Sequence, residues 1–119
     1  MFSTADTPFL LGVVFLLIHE LDAVQQGEWR FFFAWLRASD ETKTRLFNAA
    51  HVPLLLPILA NLATPSFQLG LDIFLIAHAG IHWALRHHPL ITFNNGFSRI
   101  WIFGGALLGL AHAIVLVSA

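Results

Sequence analysis

The stretch Pro8-Phe9-Leu10-Leu11-Gly12-Val13-Val14-Phe15-Leu16-Leu17-Ile18-His19-Glu20-Leu21-Asp22-Ala23-Val24 decides the fold class. It is close to the roughly 20 apolar residues that a helix needs to cross a bilayer, and Pro8 suits a first helical turn. Three further stretches are of the same kind: about Leu46 to Ala63, Leu69 to Leu85 and Ile100 to Ser118. The segments between them are made of turn and cap residues: Ala38 to Arg45, Thr64 to Gln68, and Arg86 to Pro89 running on to Asn94 through Arg99. The expectation is one domain over residues 1–119, all-α, an integral membrane four-helix bundle.

Composition points the same way. The 119 residues are 57% hydrophobic and only 11% charged, against roughly 25% charged in an average globular chain. The mean hydropathy is +0.73. A soluble fold of this size could not cover so much apolar surface with so few charges, whereas a bilayer solvates that surface itself. The formal charge of −1 and the absence of any Lys/Arg run exclude a nucleic-acid partner. With no cysteine, disulfides, thiolate ligands and thiol nucleophiles are excluded as well. The N-terminal stretch has neither a basic n-region nor a small-residue cleavage site, so it reads as a retained helix.

A straight helix from Pro8 to Arg37 would be about 45 Å long, more than the roughly 30 Å hydrocarbon core. Either it projects past the membrane or Gly27 bends it into an interfacial segment over 28–37, where Trp29, Trp35 and Arg37 suit the headgroup layer. Arg30, Arg37, Lys43, Arg45, Arg86 and Arg99 fall on one side of a four-span chain. The positive-inside rule places these basic loops in the cytoplasm and both termini outside.

Polar residues inside the apolar stretches carry the functional signal. A charged side chain at a helix centre costs about 2.5–3.5 kcal/mol on insertion scales, and such residues usually face a bundle interior. Here they are His19, Glu20 and Asp22 in the first stretch, His51 in the second, His78 and His82 in the third, and His112 in the fourth. At about 100° per residue His19, Asp22, Gln26 and Arg30 form one stripe with Glu20 on its flank, while His78 and His82 stand one turn apart on one face. Asn48 shares a face with His51, and Gly105 and Gly109 share one with His112, where small residues let another helix approach. On this reading Glu28 lies opposite the His19 stripe as an interfacial charge, Asp72 is a helix cap, and His87 and His88 belong to a loop that meets water.

Two histidines at i and i+4, with histidines and carboxylates from other helices, are a common way for a bundle to hold a metal ion. The expected ligands are His19, His51, His78, His82 and His112. Glu20 and Asp22 are the candidates for a further ligand, an orienting partner or a catalytic general base. A nitrogen and oxygen donor set suits a divalent transition metal: zinc, iron, manganese or copper. A lipid-soluble small molecule is the substrate class that fits an apolar cavity. Three other readings stay open: a proton or ion relay or transport module, a b-type haem protein, and a polar network that only holds helices together. The bilayer is the expected partner, and the glycines of the fourth stretch are compatible with a homo-oligomer.

His19-Glu20-Leu21-Asp22-Ala23 followed by Glu28-Trp29-Arg30, then His51-Val52-Pro53, Leu71-Asp72 through His78 with His82, Arg86-His87-His88-Pro89, and Gly109-Leu110-Ala111-His112 resemble the DUF6713 family of small four-helix membrane proteins. The resemblance covers nearly the whole chain and implies the same fold, and it brings no activity with it. A looser likeness, to the HXXEE membrane family, rests on an early intramembrane His with carboxylates. Here those carboxylates stand at Glu20 and Asp22 instead of three and four residues after His19.

Overall fold

The computed structural model describes residues 2–92 and 94–119. Among these the chain is all-helical, without strands: a short 3-10 turn at Thr4–Asp6 and helices α1 (Thr7–Gln26), α2 (Trp29–Phe32), α3 (Asp40–Ala60), α4 (Pro65–Ala84) and α5 (Gly96–Ser118). Pro8 and Pro65 sit in the first turns of α1 and α4, where their missing N–H has no partner to lose.

The turn at the end of α1 matters most for the site. Gly27 has φ +72°, the left-handed conformation that a glycine adopts without cost, and its N–H reaches back to the Ala23 and Val24 carbonyls. The Glu28 N–H also bonds to Ala23 O at 3.0 Å. The helix therefore stops here and the chain turns into α2. The segment expected to be helical over 28–37 is helical only from Trp29 to Phe32 and continues as turns.

α3 starts inside the polar stretch read from sequence as a loop. Ser39 caps it by accepting the Thr42 N–H at 3.2 Å, and Asp40 and Glu41 place negative charge in the first turn, where the helix dipole favours it. Asn95 caps α5 in the same way, accepting the Ser98 N–H at 2.8 Å.

α5 packs along both α1 and α4, using glycines at the contacts. A Cβ at Gly109 would lie 3.1 Å from the Asp72 carbonyl oxygen, and one at Gly104 would lie 2.7 Å from the Phe15 ring. α3 stands more apart. One end joins the apolar cluster of Phe9, Val13, Leu16, Leu71 and Leu75 through Ile58, and the other joins Ala23 and Trp29 through Phe47. Between these ends α1 and α3 flank an open groove.

Ionisable and polar side chains are buried beside the apolar core, and many large apolar side chains are exposed. His19, Asp22, Glu28, Gln68, Asp72, His82, Ser98 and His112 are buried. Leu21, Val52, Leu56, Leu59, Ile73, Ile81, Leu107 and Val117 are each more than half exposed. Two helical stretches, Thr4–Gln26 and Gly96–Ser118, are long and apolar enough to cross a membrane, and only 39% and 22% of their apolar windows are buried. α3 and α4 fall short of that mark. The charges Asp40, Glu41, Lys43 and Arg45 dilute the first, and Gln68, Asp72, His78 and His82 the second.

Candidate metal centre

Three imidazoles meet where α1 and α4 face each other. His19 comes from α1 and is 1% exposed; His78 and His82 come from successive turns of α4. The ring of His19 lies 4.7 Å from that of His78 and 5.0 Å from that of His82, and the two α4 rings are 4.4 Å apart, centroid to centroid. One nitrogen from each of the three can be chosen so that all lie within 4.8 Å of one another. His78 and His82 approach Nε2 to Nε2 at 3.0 Å, sharing one hydrogen. With metal–nitrogen bonds of about 2.0–2.1 Å, the edge of a tetrahedron of ligands is about 3.3 Å. The α4 pair is therefore already near the spacing that a tetrahedral ion requires, and the group as a whole, within 4.8 Å, would have to close further around an ion. Phe74 stacks on His78 at 5.4 Å and 22°, limiting the ring's freedom on its other side.

A carboxylate completes the group. Glu28 is 6% exposed, and its Oε1 stands 3.8 Å from His82 Nε2. Burial, and then the neighbouring Glu20 carboxylate, push the Glu28 carboxyl up to about 8. Glu28 is the residue that the sequence reading misplaced. Continuing the helical period past Gly27 sets it opposite the His19 stripe. The helix ends at Gly27, so the period does not extend to Glu28, and the left-handed turn folds this side chain back towards α4. Gly27 itself was the available signal.

The sequence assigns the chain to a family: the model of a family of unknown function, DUF6713, matches residues 5–119. The chain belongs to DUF6713. No curated protein and no solved structure matches it.

The other ionisable residues of the DUF6713 chain form separate pairs. His51 Nδ1 lies 2.9 Å from the Phe47 carbonyl, which only accepts, so Nδ1 carries the hydrogen. Its Nε2 faces Glu20 Oε2 at 2.9 Å, on the groove between α1 and α3. Asp22, a candidate further ligand or general base, accepts a 2.5 Å hydrogen bond from the Ser98 hydroxyl. That bond ties α1 to the first turn of α5, with both residues buried. Asp72 is not a helix cap: its Oδ2 lies 2.7 Å from His112 Nδ1, and both side chains are almost fully buried. Six residues separate Asp72 from His78 along α4, about 9 Å of rise, so the His112 pair sits more than one helical turn from the three-histidine group. Of the five expected ligands, the structure brings together His19, His78 and His82, engages His51 with Glu20, and engages His112 with Asp72.

Proposed function

We propose that this DUF6713 protein is an integral membrane protein whose interior holds a transition-metal ion on His19, His78 and His82, with Glu28 beside it. The observation that carries the reading is the convergence of three imidazoles from two helices, with ligand atoms within 4.8 Å of one another, His19 and His82 buried and His78 half-buried. Three protein ligands and one remaining position are the pattern of a catalytic rather than a structural zinc site. The all-nitrogen set also suits iron, manganese or copper. Glu28 is placed either to complete the coordination or to take a proton from a group bound there. When bound, the ion would supply Lewis acidity or redox chemistry. The chain's part is to hold the imidazoles, keep the interior dry and position the carboxylate. On this reading the protein is a metalloenzyme acting on a lipid-soluble substrate.

The membrane reading is supported by the exposed large apolar side chains, by the largely uncovered faces of α1 and α5, and by a longest dimension of 49 Å. A bilayer with its headgroups is about 40–45 Å thick. Its four spans would be α1, α3, α4 and α5, with the arginines and lysine on the cytoplasmic side and both termini outside. Alkaline carbonate extraction tests insertion: the protein should stay with the membrane pellet, and release into the supernatant would sink the membrane reading.

A second reading has an observation of its own. The 3.0 Å contact between His78 and His82 is a complete hydrogen bond without any ion, as expected of a structural polar network. Cobalt(II) titration of the detergent-purified protein separates the two. A metal centre should give the intense visible bands of four-coordinate cobalt at one equivalent, lost in His82→Ala. Only weak, unsaturating absorption of octahedral aqueous cobalt would favour the network.

A further inference from the structure

Glu20 and His51 stand outside the three-histidine group, Glu20 as a neighbour of Glu28 and His51 against Phe47. They line a groove of about 630 Å³ between α1 and α3, together with Leu17, Leu21, Asn48 and Leu55 among others. That volume lies within the roughly 300–1,000 Å³ typical of small-molecule sites. The groove is graded along its length. α1 runs from Leu17 to Gln25 over about 12 Å and α3 runs the opposite way from Asn48 to Leu55 over about 10 Å. The amides of Gln25 and Asn48 therefore lie with Val24 at one end, Glu20, Leu21 and His51 in the middle, and Leu17 and Leu55 at the other. The polar end is the one nearer the basic loops.

A polar pair partly open to lipid is costly unless a partner with matching polar groups covers it. From the groove, we infer that it binds a neutral, hydroxyl-headed single-chain lipid, such as a long-chain or isoprenoid alcohol, with its head at Glu20 and Asn48 and its chain against Leu17 and Leu55. A hydroxyl can donate to the Glu20 carboxylate and accept from the Asn48 amide, so both sides are satisfied. An acidic lipid would bring a second carboxylate against Glu20. A cationic lipid would have to displace His51, which already lies 2.9 Å from Glu20. A hydrocarbon without a head would leave the pair uncovered. The inference rests on the membrane reading above and not on the metal.

The test uses the full-length protein in lipid nanodiscs with a photoactivatable long-chain alcohol, its carboxylic acid and its alkane as probes. Labelled peptides are mapped by mass spectrometry. The alcohol should label 17–25 and 48–55, be displaced by unlabelled long-chain alcohol, and exceed the acid and alkane. Leu21 is 72% exposed, so Leu21→Trp can overhang the groove without disturbing the core, and it should abolish labelling. Asn48→Leu should weaken labelling about fivefold, the loss of one hydrogen bond. His78→Ala/His82→Ala should label normally, so a failed metal centre and a failed groove are told apart. Carbonate extraction tests the membrane reading separately. Labelling spread evenly over all lipid-facing helices, equal labelling by acid and alcohol, or no effect of Leu21→Trp would each overturn the inference. So would efficient disulfide cross-linking of a Leu21→Cys variant into a dimer that excludes the probe, because a second copy would then cover the groove.

Discussion

The close approach of α4 and α5 at Gly109 can be tested by adding one methyl group. In Gly109→Ala the new Cβ would lie 3.1 Å from the Asp72 carbonyl oxygen, 3.3 Å from Asp72 Cα and 3.5 Å from Leu75 Cβ. The first two are backbone atoms and cannot rotate aside, so the helices have to part by a few tenths of an ångström. They would part beside the 2.7 Å Asp72–His112 contact, which loosens with them. Overpacking of this kind costs about 1–3 kcal/mol, and the gain in helix propensity from glycine to alanine returns up to about 1 kcal/mol. The net expectation is a loss of about 1–2 kcal/mol. Gly70 and Gly80 in α4 are the controls, since a Cβ there meets nothing within 4 Å. Gly70→Ala and Gly80→Ala should be neutral or up to about 1 kcal/mol more stable. Reversible unfolding in mixed micelles, followed by near-ultraviolet circular dichroism, would rank the three variants. Gly109→Ala as stable as Gly80→Ala would refute the helix spacing on which the packing argument rests.

Ser98→Ala removes the donor that meets the buried Asp22 carboxylate and should cost about 1–3 kcal/mol of unfolding free energy, whereas Ser118→Ala, on an exposed helix end, should be silent. Asp72→Leu and His112→Leu should each destabilise by about 3–5 kcal/mol by stranding a buried partner, and the double variant should recover much of that loss in a double-mutant cycle. Gly27→Ala forces a Cβ into φ +72°, at about 1–2 kcal/mol, and should weaken cobalt binding by shifting Glu28, while leaving helix content unchanged by far-ultraviolet circular dichroism. In metal-free protein the folded Glu28 carboxyl, raised from 4.5 to about 8, holds its proton where the unfolded one has lost it. Stability should therefore fall as pH rises through that interval, and Glu28→Gln should flatten the fall; an unchanged pH profile in the variant would count against the buried position of Glu28.

The elements were legible because their signals are local. Apolar runs marked α1, α4 and α5 to within a few residues, and the i, i+4 spacing of His78 and His82 correctly implied one face. The charged residues at the start of α3 read as a loop, although Ser39 and the acidic pair after it form an N-cap and a favourable first turn. What could not be read was which polar groups meet across helices. His19, His51 and His112 look alike in sequence, and only packing sends one to His78 and His82, one to Glu20 and one to Asp72. Glu28 was lost for a simpler reason: a single left-handed residue cancels a helical period, and its consequence depends on where the turned chain lands.

The most direct test of the metal centre is elemental analysis of the protein, purified in mild detergent through a tag that binds no metal, beside His78→Ala/His82→Ala. Near-stoichiometric zinc, iron, manganese or copper is expected in the native protein and its loss from a variant that keeps its helix content and elution volume. If neither protein holds metal, even after loading with each of the four ions, the three-histidine group is not a metal centre and its hydrogen bonds are the whole of its role.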